Sequence, residues 1–188
     1  MVLVAKILHY LIVGKLKLFS RIRLFYFNVL PFIHVGTKTL IESNVTISTI
    51  YGGRITIGNY CELRKGCQLL SYGGNIIIGN NSSINPYTMI YGQGDIKIGN
   101  YVRIAAHCVL IPSNHVFSDV SQPICQQGLQ NKGIVVEDDV WIGCGVRILD
   151  GVVIAKGCVI GAGSVVTNST EPYGVYVGIP AKKIKSRI

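Results

Sequence analysis

Few side chains in this 188-residue sequence could move a proton near neutral pH, and they are unevenly placed. Of the four histidines, His9 and His34 lie near the N-terminus and His107 sits within a regular repeat. His115 instead stands in a stretch, residues 112–133, where that repeat stops. A histidine's ordinary pKa of about 6.5 suits it to take a proton from a hydroxyl or an amine, so His115 is the candidate general base. Asp119 or a backbone carbonyl could fix its second ring nitrogen, and the sequence does not choose between them. Asn114 and the Gln126–Gln127 pair belong to the same stretch.

What must position these groups is a beat of six. Eighteen aliphatic residues form six triplets, each with an internal spacing of six. They are Val35, Ile41, Ile47; Ile57, Leu63, Leu69; Ile78, Ile84, Ile90; Ile98, Ile104, Leu110; Val136, Ile142, Ile148; and Ile154, Ile160, Val166. Neither a helix nor an uninterrupted strand needs that spacing, whereas a chain that turns a corner every six residues does. Three such units close one coil, and stacked coils bury the faces their neighbours leave open. The expected fold is therefore an all-β solenoid of about six coils. Tyr51-Gly52-Gly53, Tyr72-Gly73-Gly74 and Tyr91-Gly92-Gln93-Gly94 mark one corner where extra residues protrude. The Ile-Gly-Asn openings at 57–59, 78–80 and 98–100 are read as tight corners that need left-handed backbone. At the fourth coil the protruding corner becomes the long loop 112–134, and a loop of that length in a compact repeat is usually functional.

Composition agrees with one apolar domain: hydrophobic residues make up 49%, charged residues 14%, and there are 22 glycines. The net charge of +9 is concentrated at the ends. Residues 1–41 hold six Lys/Arg and no acid, and Lys182, Lys183, Lys185 and Arg187 close the chain. The near-neutral body argues against a nucleic-acid groove, so no nucleic-acid partner is expected. Cys61, Cys67, Cys108 and Cys158 fall four residues after an anchor, in a slot otherwise taken by small residues, and read as buried small hydrophobes. No CxxC pair, zinc spacing or disulfide framework is visible, which favours a reducing cytoplasm.

Residues 1–34 read as a helical segment. Its apolar run is broken at Lys6, no small-residue cleavage site follows, and no uncharged stretch reaches the ~20 residues of a membrane span. On a helical projection Lys6, His9, Lys17, Ser20 and Arg21 share a face. Such a segment could cap the open end of the first coil, or lie through residues 1–30 on an anionic membrane surface. The two roles are compatible.

The hexads, written aliphatic-Gly-x-x-small-x, resemble the hexapeptide-repeat acyltransferases. The stretch Asp138-Asp139-Val140-Trp141-Ile142-Gly143, continuing through Ile160-Gly161-Ala162-Gly163-Ser164-Val165-Val166-Thr167 to Gly178-Ile179-Pro180-Ala181-Lys182, is similar to the acetyl-CoA-binding half of galactoside, maltose and polysaccharide O-acetyltransferases. The resemblance covers residues 35–185. It implies a left-handed parallel β-helix, a triangular prism that forms homotrimers with active sites between subunits. The hand comes from the resemblance alone, since general sterics favour right-handed crossovers.

The resemblance also implies roles. His115 matches the family's catalytic histidine, with Asn114 beside it toward the acceptor. Asn85 aligns with an asparagine near the acceptor in some relatives; the alternative is a corner residue in left-handed conformation. Trp141, the single tryptophan, sits outward and would wall the pantetheine arm. Cys144 stands where relatives carry serine or glycine, and its backbone N–H would help stabilise an oxyanion. Ala162 and Thr167 would follow the pantetheine arm, and Lys182 and Lys185 would meet the phosphates. Asn168 departs from the lysine common at that place, which shifts weight to those C-terminal lysines.

The expected function is an acetyl-CoA-dependent O-acetyltransferase acting on a sugar hydroxyl or glycan in surface polysaccharide or lipopolysaccharide synthesis. The expected location is cytoplasmic, with possible peripheral contact at the inner membrane. The alternatives are an N-acetyltransferase of a nucleotide-linked amino sugar and a non-catalytic β-helix spacer. A zinc enzyme on the same prism lacks its third histidine, and no metal is expected. The expected divisions are a cap at 1–34, the helix of strands at 35–170 and a coenzyme-contacting tail at 171–188.

Overall fold

The computed structural model describes the backbone of residues 2–188, with side chains from residue 14 onward. Each anchor lies in a short strand, and the strands stack into three parallel sheets of a left-handed parallel β-helix. The first face runs through Ile33–Val35, Arg54–Ile57, Asn75–Ile78, Ile96–Ile98, Ile134–Val136 and Val153–Ile154. Register puts anchor on anchor: Val35 over Ile57, Ile57 over Ile78, Ile78 over Ile98, Ile98 over Val136, Val136 over Ile154. The second face does the same from Ile41 to Ile160, and the third from Ile47 to Val166. All eighteen anchors are at most 5% exposed. Burying one such side chain is worth about 1.5–3 kcal/mol, and this repeated column is what closes the coils.

The six-residue beat does not reveal that the first face carries a second inward residue. Ile33, Ile55, Ile76, Ile96 and Ile134 are also buried, each two residues before its anchor. The five strands that carry it are therefore three or four residues long, where most others have two.

The Ile-Gly-Asn corners differ from expectation. Gly58, Gly79 and Gly99 are not left-handed; the left-handed residues are Tyr60, Asn81 and Tyr101. Glycine is required for a different reason: a Cβ on Gly58 would lie 2.7 Å from the Gly79 carbonyl carbon in the next coil. The asparagines form a ladder. Asn59 donates from its N–H to the Asn80 Oδ1 at 2.8 Å, Asn80 likewise to Asn100 at 2.8 Å, and Asn100 to the Asp138 Oδ1 at 2.7 Å. Their side-chain amides donate to the same oxygens.

The helix Val2–Val29 closes the first coil. A parallel sheet leaves unpaired peptide groups at its open edge, and here helix side chains satisfy them. The Ile41 N–H donates to Ser20 Oγ at 2.8 Å, and Arg23 donates to the Ile41 carbonyl at 3.1 Å. Asn28 bonds both peptide groups of Val35, donating to its carbonyl at 3.0 Å and accepting from its N–H at 2.9 Å. Phe27 is buried in the core, with Leu24 and Leu30 packed beside it. Ser20 is thus a buried cap residue and not part of a solvated polar face with Lys17 and Arg21, which are exposed. The side chains of Lys6 and His9 lie outside the described residues. No helix among the described residues is long and apolar enough to cross a membrane.

Because Ser20 is buried, Ser20→Ala strands a buried N–H and is expected to cost about 1–3 kcal/mol. The check is a urea titration, in which the midpoint falls at constant slope. An unchanged midpoint would mean that the helix is not seated on the coil edge in solution.

Candidate active site

The loop leaves the corner between the third and first faces. Its root is a two-residue hairpin, Asn114–His115 against Leu129–Gln130, with a 3-10 turn at Ile124–Gln126 near its tip. Asp150, at the same corner one coil further on, holds the root. Its Oδ1 accepts the N–H of Lys132 at 2.8 Å and of Gly133 at 2.9 Å, while Oδ2 accepts the Asn114 amide at 3.4 Å. Nothing in the spacing singles out Asp150, since an acid at a corner is unremarkable. Asn114 thereby braces the loop root through one amide hydrogen.

His115 is exposed, and its ring makes no hydrogen bond among the described residues. Asp119 does not orient it. That carboxylate accepts the N–H and Oγ–H of Ser121, at 2.9 and 2.6 Å, and the amide of Gln122 at 2.9 Å. The Ser121 bonds hold it below its usual carboxylate range. Gln127 ties the loop again, accepting the Asp119 N–H and donating to the Asp119 and Gln122 carbonyls.

Three tyrosines that the sequence shows only as corner markers line up along this edge, the first two stacked and the third tilted. Tyr51 and Tyr72 have ring centroids 5.6 Å apart, and Tyr72 and Tyr91 5.4 Å. Beside them Tyr72, Tyr91, Gln93, Ile111 and Ser113 line an open pocket of about 300 Å³, two residues from His115.

The next corner, between the second and third faces, carries a different set. Asn85 donates from Nδ2 to the Ile104 carbonyl at 2.8 Å and is not left-handed; Tyr87 takes that conformation instead. One amide hydrogen of Asn85 thus ties two coils, and the left-handed turn at this corner falls at Tyr87. Cys144 and Ala162 lie at this corner in the fifth and sixth coils, both exposed, and neither N–H is hydrogen-bonded within the described residues. Gly143 makes room there, since a Cβ on it would lie 2.6 Å from the Ala162 nitrogen. Trp141 stands outward and exposed on the second face. His107 is left-handed and stacks on Tyr87 at 5.3 Å, a contact between coils. Thr167 is exposed at the loop's corner and donates to Asn168 Oδ1 at 2.8 Å.

The C-terminal segment is a hairpin, Gly174–Gly178 against Ala181–Ser186, added to the second face. Two of its four basic side chains are engaged. Lys183 donates to Glu171 at 2.6 Å, which holds that carboxyl low and that ammonium high. Arg187 bonds Asp139 at 3.1 Å and the Gly157 carbonyl at 2.7 Å. Lys182 and Lys185 are exposed and have no acidic partner among the described residues. They are free to meet an anion.

Of the six cysteines, Cys61, Cys67, Cys108 and Cys158 are buried, and burial pushes the Cys67 thiol up to about 12. Within one protomer, then, the imidazole sits at one corner, and the bare N–H groups and lysines sit at or beside another. A single prism does not bring them together.

This fold, with glycine-bared N–H groups and unpaired lysines at its final coils, is that of a coenzyme-dependent acyl transferase. The family profile "Bacterial transferase hexapeptide (six repeats)" matches residues 133–168. A dTDP-4-amino-4,6-dideoxy-D-glucose acyltransferase of Escherichia coli is 32% identical over 171 residues, covering 86% of this chain and 88% of that protein. A probable acetyltransferase of Mycobacterium tuberculosis is 31% identical over 82% of this chain, which spans only 50% of that longer protein. A putative lipopolysaccharide biosynthesis O-acetyl transferase of Escherichia coli is 31% identical over 71% of this chain and 72% of its own length. Among solved structures, a variant of a Bacillus cereus N-acyltransferase in complex with dTDP-4-amino-4,6-dideoxyglucose and coenzyme A superposes with a TM-score of 0.71. It is 29% identical, with 82% of this chain and 84% of that one covered. The chain belongs to the hexapeptide-repeat acyltransferase family.

Proposed function

We propose that the protein transfers an acetyl group from acetyl-CoA to a sugar hydroxyl, in the synthesis of a surface polysaccharide or lipopolysaccharide in the cytoplasm. The observation that carries this reading is His115: an exposed imidazole on a protruding hairpin, its ring without a hydrogen bond among the described residues. A side-by-side homotrimer would set it against the corner of a neighbouring copy that holds Cys144 and Ala162. The acceptor fits the pocket between Tyr72, Tyr91 and Ser113, where tyrosine faces and edges suit a pyranose ring.

The residues present fit the coenzyme. Lys182 and Lys185 would hold its phosphates, Trp141 would flank the pantetheine arm, and Ala162 and Thr167 would guide it. When bound, acetyl-CoA supplies a thioester carbonyl activated for attack. His115 takes the acceptor's proton and returns it to the departing sulfur. The Cys144 N–H would offer a fixed dipole to the carbonyl oxygen as negative charge gathers there. The exposed Cys144 thiol has no part in this direct transfer.

A second reading, transfer to the amine of a nucleotide-linked sugar, is supported by the near full-length match to the Escherichia coli dideoxyglucose acyltransferase. Incubation with acetyl-CoA and a panel of sugars and nucleotide-sugars, followed by mass spectrometry and mild alkali, separates the two. An alkali-labile product is an ester and supports the first; an alkali-stable product is an amide and supports the second. Absence of any acetylated product across the panel would refute both.

Lys182→Ala with Lys185→Ala is expected to raise KM for acetyl-CoA about ten-fold or more, with kcat within two-fold, because the lost contacts are made equally in ground and transition states. An unchanged KM would move the phosphate contact elsewhere.

A further inference from the structure

Over its described side chains, residues 14–29, the outer side of the N-terminal helix is exposed. Ser20, Leu24 and Phe27 face the first coil. At 3.6 residues per turn the opposite side carries Leu18, Ile22, Phe25 and Val29, which are 58%, 55%, 74% and 65% exposed. Four large apolar side chains in one stripe on a water-facing helix are costly unless something covers them.

Direction narrows what that is. Ser20, Arg23 and Asn28 reach the coil through peptide groups of Ile41 and Val35, which in stacked strands point along the prism axis. The helix therefore lies across the end of the prism, and its apolar stripe faces outward along that axis. Copies packed side by side through the prism faces leave it uncovered. Charge narrows it further: Lys15, Lys17 and Arg21 are exposed near the stripe, no ion pair engages them among the described residues, and the first acid in the chain is Glu42. A second copy stacked end to end would press two equally basic helices together. An anionic surface would attract both.

We propose that this stripe beds into the headgroup region of an anionic phospholipid bilayer, with the helix in the membrane plane and the prism standing upright on it. The basic side chains meet lipid phosphates while Leu18, Ile22, Phe25 and Val29 enter the acyl boundary. The inference rests on the helix alone and does not depend on the acyl-transfer reading.

The test is co-sedimentation of the full-length protein with vesicles of phosphatidylglycerol and phosphatidylcholine, against vesicles of phosphatidylcholine only. Ile22→Glu with Phe25→Glu alters only exposed positions, and its circular dichroism and melting should match the wild type. Binding to anionic vesicles is expected to fall about ten-fold or more in that variant, and to weaken with added salt as screening shortens. Turnover of acetyl-CoA on a soluble acceptor should be the same for both proteins, so loss of lipid binding and loss of catalysis are read apart. The proposal is overturned if the wild type stays in the supernatant with anionic vesicles, or if the variant sediments as well as the wild type. It is equally overturned if the stripe instead drives a doubling of mass in ultracentrifugation that the variant abolishes without any lipid binding.

Discussion

His115→Ala is expected to lower turnover at least 100-fold while leaving acetyl-CoA affinity within a few-fold. Removing a positioned base costs about 10²–10⁴ in rate, because the acceptor must then surrender its proton to water. Trp141, Ala162, Lys182 and Lys185, assigned to the coenzyme, lie elsewhere on the prism, and Thr167 at the loop's corner makes no bond to the imidazole among the described residues, so binding should survive. Folding should survive as well, since the imidazole is exposed and makes no hydrogen bond among the described residues. Single-turnover kinetics and a coenzyme titration measure the two halves separately. Turnover at the wild-type rate would remove His115 from the mechanism and with it the proposed composite site.

Ile104→Ala should produce a large loss of stability. Ile104 is completely buried in the fourth coil, stacked between Ile84 and Ile142. Removing three carbons there costs about 2–5 kcal/mol, partly as lost transfer energy and partly as a cavity that flanking coils cannot refill. A domain of this kind has only about 5–15 kcal/mol to lose. In a stack, moreover, each coil is held only by the two beside it, so one defect weakens both interfaces. Urea unfolding monitored by circular dichroism would show the shift, with Val120→Ala, 99% exposed on the loop, as the neutral control. A difference under about 0.5 kcal/mol between the two would mean that the central column does not carry the fold.

Much of the architecture was legible because one physical constraint repeats. Each anchor is inward for the same reason as the previous one, and every one of the eighteen is buried. Where the reason changed, the reading failed. Gly58 and Asn59 look like conformational residues, yet the glycine is there for the approach of the next coil and the asparagine for a ladder, neither of which exists within a single coil. Asn85 looks like a left-handed corner, yet that conformation belongs to Tyr87, and the Asn85 Nδ2 donates to the Ile104 carbonyl of the next coil. Ser20 belonged by projection with charged neighbours and proved to cap an edge that the projection does not contain. For the candidate site, the sequence singles out His115 because the repeat stops there. It could not show that Asp119 is consumed by its own turn, that Asp150 anchors the loop, or that Tyr51, Tyr72 and Tyr91 line up beside it. Those depend on which coils meet at a corner, and the spacing alone is silent on that.

The asparagine ladder has a direction. Each amide passes hydrogens to the oxygen of the rung ahead and receives hydrogens from the rung behind, from Thr37 through Asn59, Asn80 and Asn100. The last rung is Asp138, a carboxylate, which accepts and has nothing to hand on. An asparagine in its place would offer two hydrogens to a sixth coil that presents Lys156 at that turn rather than another amide. The change of one atom, nitrogen to oxygen, works as a full stop in the stack.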